Sequence, residues 1–165
     1  MNEALLLPVV AQTLAQHDMT YTALECTPEL ADTAAFCEHY HVALDQAANT
    51  ILVASRKVEP TRYAVCVVLG TTRLDVNQKV CELLEVKKAS FADADTTMRL
   101  TSMLIGGVTA VGISDLPIYV DSAVMRQPEV VMGGGNRSSK IRLDPQELLK
   151  LPNVAVIEGL AKARE

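Results

Sequence analysis

The sequence predicts an α/β protein whose strands form a mixed sheet. Segments with apolar residues at helical spacing alternate with short strand-like segments, but the alternation has no regular period. Several predicted strands also follow one another through short loops, whereas a doubly wound parallel sheet places a helix between successive strands. At 165 residues the chain is expected to form one domain, residues 1–165.

The first half of the chain supplies the clearest elements. A helix is predicted over 5–16, where Pro8 is tolerated only in the first turn. After a strand at 20–26, Thr27, Pro28 and Glu29 provide an N-cap, an N1 proline and a first-turn acid for a helix over 28–40. The apolar segments 48–55 and 63–69 are joined by a charged, proline-containing loop, and they are expected to pair antiparallel at the centre of the sheet.

The second half continues the same pattern with shorter elements. Helices are predicted from 74–75 to about 85, where apolar residues recur at helical spacing, over 93–104, and from Asp144 and Pro145 onward. The predicted strands are 87–90, 116–121, 128–132, 140–143 and 153–157.

Composition restricts the function. The formal net charge is −5, so broad binding to a nucleic-acid backbone is not expected and any such contact must depend on a local basic patch. The chain has no tryptophan and two phenylalanines, which excludes an aromatic platform as the main binding device. No segment is apolar for long enough to span a bilayer, so no membrane association is expected.

The cysteines and histidines do not predict a metal site. Cys26, Cys37, Cys66 and Cys81 lack the close paired spacing of zinc ligands, and they are interpreted as reduced, buried thiols of a cytoplasmic protein. Cys37, His39 and His41 lie two residues apart, so on a helix their side chains diverge. No cofactor is expected.

Two glycine-rich segments are the candidate functional loops. The first contains Gly106, Gly107 and Gly112, and the second runs from Gly133 to Lys140. Adjacent glycines mark places where φ is positive or where backbone approaches another group closely. The second segment also carries cations and hydroxyls, which are typical of an anion-binding concavity, although glycine-rich segments are more commonly tight turns between strands.

These elements, in this order, resemble the YbaK/ProX family of aminoacyl-tRNA editing deacylases, which also occurs as the editing insertion of bacterial prolyl-tRNA synthetases. The resemblance covers nearly the whole chain, and five segments carry it: 48–53, 74–75, 101–112, 117–121 and 133–143. It implies a curved, partly barrel-like mixed sheet surrounded by helices. It also implies hydrolysis of the ester that joins a wrong amino acid to the terminal ribose of tRNA.

The resemblance further implies where the site residues lie. Gly106 and Gly107 are expected to position the ester and the attacking water through their backbone amides, with Asn49 at the start of the strand beside them. The candidate substrate-binding residues are Leu24, Ser102, Asp121, Gly133, Gly134, Gly135, Arg137, Ser138 and Lys140. Among them, the second glycine-rich segment is expected to hold the terminal phosphate or ribose. Ser138 is interpreted as part of a polar turn and not as a nucleophile, because no base lies near it in sequence.

Several family positions are occupied by other residues here. The family lysine corresponds to Asn49, which can donate a hydrogen bond but carries no charge. Leu24 replaces an aromatic residue, Ser102 and Ser138 replace glycines, Gly133 replaces a serine, and Lys140 replaces an acid. Lys140 is the residue that could return a positive charge to the cleft.

Two main functions therefore stay open at the level of sequence, and a binder of small phosphate esters at the second glycine-rich segment is a weaker third. One is an editing deacylase with the tRNA acceptor end as its partner, an aminoacyl-tRNA synthetase as a further implied partner, and altered or lost activity because of Asn49. The other is a non-catalytic module that binds the aminoacyl-tRNA 3′ end or a protein. The sequence does not indicate the cognate amino acid or an oligomeric state.

Overall fold

Ten strands and five α-helices make up the fold in a computed structural model, which describes residues 3–164. The strands are β1 (Thr22–Glu25), β2 (Ala48–Ser55), β3 (Tyr63–Leu69), β4 (Thr72–Leu74), β5 (Ala89–Phe91), β6 (Ile118–Asp121), β7 (Val130–Gly133), β8 (Ser139–Leu143), β9 (Val154–Ile157) and β10 (Ala161–Ala163). The helices are α1 (Pro8–Gln16), α2 (Thr33–Tyr40), α3 (Cys81–Leu84), α4 (Ala94–Thr101) and α5 (Ser122–Met125).

The strands form three hydrogen-bonded sheets. The largest has the order β5-β2-β3-β6-β9, with β2 antiparallel to β3 and β5, and with β3, β6 and β9 parallel. The others are the antiparallel sheets β1-β8-β7 and β10-β4. The predicted mixed sheet and its central β2-β3 pair are confirmed. None of these sheets closes into a barrel within residues 3–164.

Strand β3 shows why the central segment of the sequence is apolar throughout. Val65, Val67 and Leu69 pack into the main core, which includes α1 and the β7-β8 pair. Ala64, Cys66 and Val68 face a second cluster, which includes Leu160 and the α3 region. Because both faces of β3 are buried, its apolar residues do not alternate with polar ones.

The predicted first helix begins later than expected. A 3-10 turn over Glu3–Leu5 is followed by extended Leu7, and α1 starts at Pro8, the position where a helix loses no hydrogen bond to proline. Val10 and Leu14 are its buried residues. No described helix combines the length and apolar composition needed to cross a bilayer.

The helix predicted over 28–40 is interrupted. Residues Pro28–Leu30 form a 3-10 turn, Asp32 is extended, and α2 starts only at Thr33. Thr27 does not cap this turn with its side chain. Its N–H donates instead to the Tyr40 hydroxyl at 3.0 Å. The interruption leaves backbone carbonyls of this segment accessible to side chains from elsewhere.

The remaining differences concern short elements. The helix expected from 74–75 begins with one π turn over Val76–Val80, and Asp75 caps it by accepting from the Gln78 N–H. The helix expected over 93–104 ends at Thr101, and the segment from Asp144 is a 3-10 helix over Pro145–Lys150. The predicted strand over 87–90 lies at Ala89–Phe91. The sequence analysis missed β4, α5 and β10, each of which has only three or four residues.

Candidate functional site

A cleft of about 360 Å³ lies where the two larger sheets meet. One isolated parallel bridge, between Ala47 and Val131, joins the start of β2 to β7 at this seam. The walls come from the start of α2, the start of β2, the 105–108 loop and β7, and Lys140 enters from β8. Its volume lies within the range of roughly 300–1,000 Å³ that is usual for small-molecule pockets.

The two glycine-rich loops are in direct backbone contact beside this cleft. The N–H of Gly135 donates to the carbonyl of Gly107 at 2.7 Å, and the N–H of Leu104 donates to the carbonyl of Gly135 at 3.2 Å. A Cβ on Gly107 would collide with the backbone of Asn136. The glycines thus allow the loops to approach each other.

Hydrogen bonds within and between these loops occupy three of the glycine amides that were expected to contact substrate. The amide of Gly107 donates to the Leu104 carbonyl at 2.8 Å, and the amide of Gly134 donates to the Ser139 carbonyl at 3.2 Å. With the Gly135 amide also taken, none of these three N–H groups is available to a substrate. The anion-binding concavity expected at the second glycine-rich segment is therefore not formed by Gly134 and Gly135.

Gly106 differs from its neighbour. It lines the cleft with φ at +93°, a backbone conformation that favours glycine. Its carbonyl accepts a hydrogen bond from Lys140, while its N–H has no acceptor within residues 3–164. This N–H is the one amide of the Gly106-Gly107 pair that remains free.

Lys140 is the charged group at the centre of the site. It is 7% exposed, and its Nζ donates to the carbonyl of Ala31 at 2.6 Å and to the carbonyl of Gly106 at 2.8 Å. The ammonium also lies 5.3 Å from the centre of the Phe36 ring, within the range of a cation–π interaction. The interruption before α2 makes the Ala31 carbonyl available, because Ala31 is followed by extended Asp32.

Burial changes the protonation chemistry around Lys140. It lowers the pKa of the Lys140 ammonium, although nearby Cys26 and Asp32 partly oppose that shift. It also raises the pKa of the Cys26 and Cys37 thiols, against the attraction of the Lys140 charge. All four cysteines are free and buried, as the sequence predicts.

Asn49 lies in the same cleft as Lys140. Its Oδ1 accepts a hydrogen bond from the Thr33 hydroxyl at 2.6 Å, which orients the amide. Its Nδ2 donates to no residue in the described range and is free to contact a ligand. Thr50, the next residue, also lines the cleft, and its buried Oγ1 has no hydrogen-bond partner there.

Arg137 is a structural clamp beside the cleft. Its Nε and Nη2 donate to the carbonyl of Pro28 at 3.1 and 2.7 Å, and its Nη1 donates to the carbonyl of Ile105 and to Asp32. The guanidinium thus ties the segment before α2 to the first glycine-rich loop. Four of the five N–H groups of Arg137 have protein acceptors, so one N–H of Nη2 is left for the expected contact with phosphate.

The other expected site residues divide between the cleft and distant positions. Gly133 lines the cleft. Leu24 on β1 packs beside the Phe36 cluster, Ser102 is the exposed residue that ends α4, and Ser138 lies in an exposed turn. None of these three lines the cleft. Asp121 is 2% exposed and accepts from the Leu160 N–H, so its role is structural; burial raises the pKa of its carboxyl.

The residues on the α2 side of the cleft were not predicted from the sequence. Asp32, Thr33 and Phe36 line it. Their only sequence signal was the Thr27-Pro28-Glu29 helix start, which placed them inside a continuous helix.

A family model described as "Aminoacyl-tRNA editing domain" matches residues 27–151. A solved structure described as a "putative trans-editing enzyme for prolyl tRNA synthetase" superposes with a TM-score of 0.79 at 23% identity, covering 99% of both chains. A hypothetical protein of known structure gives a TM-score of 0.82 at 21% identity, covering 93% of this chain and 99% of the other. At such identities the structural likeness establishes the fold.

Proposed function

The chain belongs to the aminoacyl-tRNA editing domain family, and from that premise we propose that it hydrolyses the ester of a mischarged tRNA in the cleft that contains Asn49 and Lys140. The family match confirms the resemblance found in the sequence. The location of the reaction and the roles of individual residues are our proposal.

The reaction requires little from side chains. Water attacks the ester carbonyl, the bond from the carbonyl carbon to the ribose oxygen breaks, and the ribose oxygen takes up a proton. The site must hold the terminal aminoacyl-adenosine and stabilise the negative charge that develops on the carbonyl oxygen. Preorganised hydrogen-bond donors usually supply most of that stabilisation.

Lys140 is the observation that carries the proposal. An ammonium has three N–H groups, and two of those on Lys140 are used by protein carbonyls. The third is available to a substrate oxygen in the cleft. The family resemblance places the working lysine at the position of Asn49 on β2, whereas here a lysine reaches the same cleft from β8. We therefore assign to Lys140 the cationic role that Asn49 cannot fill.

Two neutral donors complete the proposed site. The Nδ2 group of Asn49 and the N–H of Gly106 both lack partners among the described residues, and both belong to residues that line the cleft. Together with Lys140 they give up to three donors for the carbonyl oxygen and the attacking water. Ile51 and Ile105 offer apolar surface for the terminal adenosine.

The direct test is deacylation of a panel of mischarged tRNAs by the purified protein. We expect release of at least one amino acid above the rate of spontaneous ester hydrolysis. A family member that has lysine at the position of Asn49 serves as the positive control. If that control is active while this protein releases no amino acid from any tRNA, the proposal is rejected.

A non-catalytic binding module is the second candidate. Asn49 favours it, because an amide stands where the resemblance implies a lysine. The Asn49→Lys variant separates the two functions. If the wild-type protein deacylates tRNA, the module is excluded. If only the variant does so, the native chain is a decayed enzyme, which supports the module over the deacylase.

A further inference from the structure

A groove leads away from the cleft and is lined by cations. Asn49 and Ile51 line both the cleft and this groove, so the two spaces are adjacent. Three cations line the groove: Arg73 on β4, Lys162 on β10 and Arg164 just after β10. Asp75 is the carboxylate among its lining residues, and it contacts Lys162 at 3.6 Å.

The strand register concentrates charge in the groove. Lys162 lies directly opposite Arg73 in the antiparallel β4-β10 pair. Like charges directly opposite each other destabilise a strand pair, so this arrangement has a cost that an external anion would remove. Neither Arg73 nor Arg164 has a carboxylate within ion-pair distance among residues 3–164.

A second basic cluster continues the groove. Asn77 lines the groove and also a depression that contains Arg56, Lys57, Lys87 and Lys88. The N–H of Arg56 donates to the carbonyl of Lys88 at 2.8 Å, which holds the two dibasic pairs side by side. All four side chains are exposed, and none forms an ion pair within residues 3–164. Glu82 and Glu85 are the carboxylates that line a neighbouring depression, which shares the same four cations.

These seven cations form one strip on a chain whose net charge is −5, and they are nearly half of its 15 lysines and arginines. Phe91 lies beside the groove and is 59% exposed, the highest exposure among the large hydrophobic residues described. A row of cations beside one exposed aromatic ring fits an RNA strand, because the cations can contact its phosphates and the ring can stack on one of its bases.

We propose that the groove and the dibasic pairs bind the acceptor end of tRNA. In this arrangement Arg73, Lys162 and Arg164 contact the phosphates of the single-stranded 3′ end, and Phe91 stacks on one of its bases. The dibasic pairs contact phosphates of the double-stranded acceptor stem. This inference rests on the proposed function, because the groove is taken to lead the 3′ end into the cleft.

The test is the binding of two uncharged RNAs, so it does not require deacylation. One RNA is a labelled hairpin with a seven-base-pair stem and a 3′ CCA end, and the other is a labelled tetranucleotide that ends in CCA. Fluorescence anisotropy gives the Kd of each at several salt concentrations. Three charge reversals are compared: Arg73→Glu in the groove, Lys87→Glu in the dibasic pairs, and Arg126→Glu as a control. Arg126 is outside the strip, and its ion pair with Glu158 is highly exposed on both sides, so its loss has little effect on stability.

We expect Arg73→Glu to weaken both RNAs by about tenfold and Lys87→Glu to weaken only the hairpin to that extent. We expect the dependence of log Kd on log salt concentration to lose about one unit of slope per cation removed. Phe91→Ala should weaken the tetranucleotide about tenfold without changing the slope. Arg126→Glu should leave both Kd values within twofold.

Two binding results would each contradict the proposal that the groove and the dibasic pairs bind RNA. One is an unmodified protein that does not bind the hairpin at low salt. The other is a control variant that weakens binding as much as the groove and dibasic variants do. If RNA binding follows the expected pattern but mischarged tRNA is never hydrolysed, the proposed catalysis fails and the surface stands. If the protein hydrolyses mischarged tRNA but Arg73→Glu and Lys87→Glu bind both RNAs as tightly as the unmodified protein, the proposed catalysis stands and the RNA-binding surface is rejected.

Discussion

Replacing Lys140 with methionine removes the ammonium while keeping an unbranched side chain of similar length. At about 4 Å and an effective dielectric constant near 20, the attraction between an ammonium and an oxyanion is about 4 kcal/mol. Solvent in the open cleft screens part of this attraction. We therefore expect Lys140→Met to raise the activation free energy by about 3–4 kcal/mol. That corresponds to a 10²- to 10³-fold fall in kcat, the usual effect of losing one oxyanion donor.

The assay is deacylation of the tRNA that the unmodified protein cleaves fastest, with spontaneous hydrolysis subtracted. Lys140→Met leaves the carbonyls of Ala31 and Gly106 without their donor, so circular dichroism and thermal unfolding must accompany the kinetics. The double variant Asn49→Lys, Lys140→Met is the rescue, since position 49 lines the same cleft. We expect it to recover at least tenfold of the lost rate.

The pH dependence adds a second readout. Burial lowers the pKa of Lys140 from its ordinary 10.5, so a reaction that needs the ammonium should lose rate on the alkaline side below pH 10.5. If folded Lys140→Met deacylates tRNA within threefold of the unmodified rate, the assignment of the cation to Lys140 is wrong.

Three further predictions concern stability. Gly107→Ala places a methyl group against the backbone of Asn136 and should lower the free energy of unfolding by about 3 kcal/mol; Gly159→Ala, where a Cβ meets nothing within 4 Å but φ is +72°, should cost only about 1–2 kcal/mol for its left-handed backbone, and equal losses would contradict the close approach. Arg137→Gln should cost about 2 kcal/mol in a denaturant titration, since hydrogen bonds from a charged group to several partners are lost, and an unchanged midpoint would show that the clamp is dispensable. Burial raises the pKa of the Cys66 thiol from 9.0 to about 12, so on raising the pH the thiol ionises in the unfolded chain before it does so in the folded one. The free energy of unfolding should therefore fall by about 1.4 kcal/mol between pH 7 and pH 10. Cys66→Val should lack that part of the pH dependence, and identical curves for the two proteins would refute it.

Much of the fold follows from hydrophobic pattern alone. The β2-β3 pair was predictable because two long apolar segments flank a polar loop, and the structure gives both strands the predicted bounds. The short β4 and β10 were not, because a strand of three residues contains too little periodicity to distinguish it from a loop.

The site was predictable in outline but not in its details. The proximity of the first glycine-rich loop to Asn49 was expected from the family resemblance, and the structure places Asn49, Gly106 and Gly133 in one cleft. The interruption before α2 was not predictable, because the Thr27-Pro28-Glu29 signal is the same for a short 3-10 turn as for a long helix. Nor does sequence spacing reveal that Arg137 binds the carbonyls of Pro28 and Ile105, since these contacts join residues distant in the chain. The Gly107 amide is taken within a turn, by the carbonyl of Leu104 three residues earlier, which the glycine pattern does not specify.

The N-terminal segment supports the cleft from behind, although the family match starts only at residue 27. The N–H of Leu7 donates to the carbonyl of Gly134, Asn136 donates to the carbonyl of Leu5, and β1 is the antiparallel neighbour of the strand that carries Lys140. A protein shortened to the matched boundaries would therefore lose the backing of one glycine-rich loop and leave β8 as an open edge. Loss of activity after such trimming would report a collapsed wall of the cleft, and not a missing chemical group.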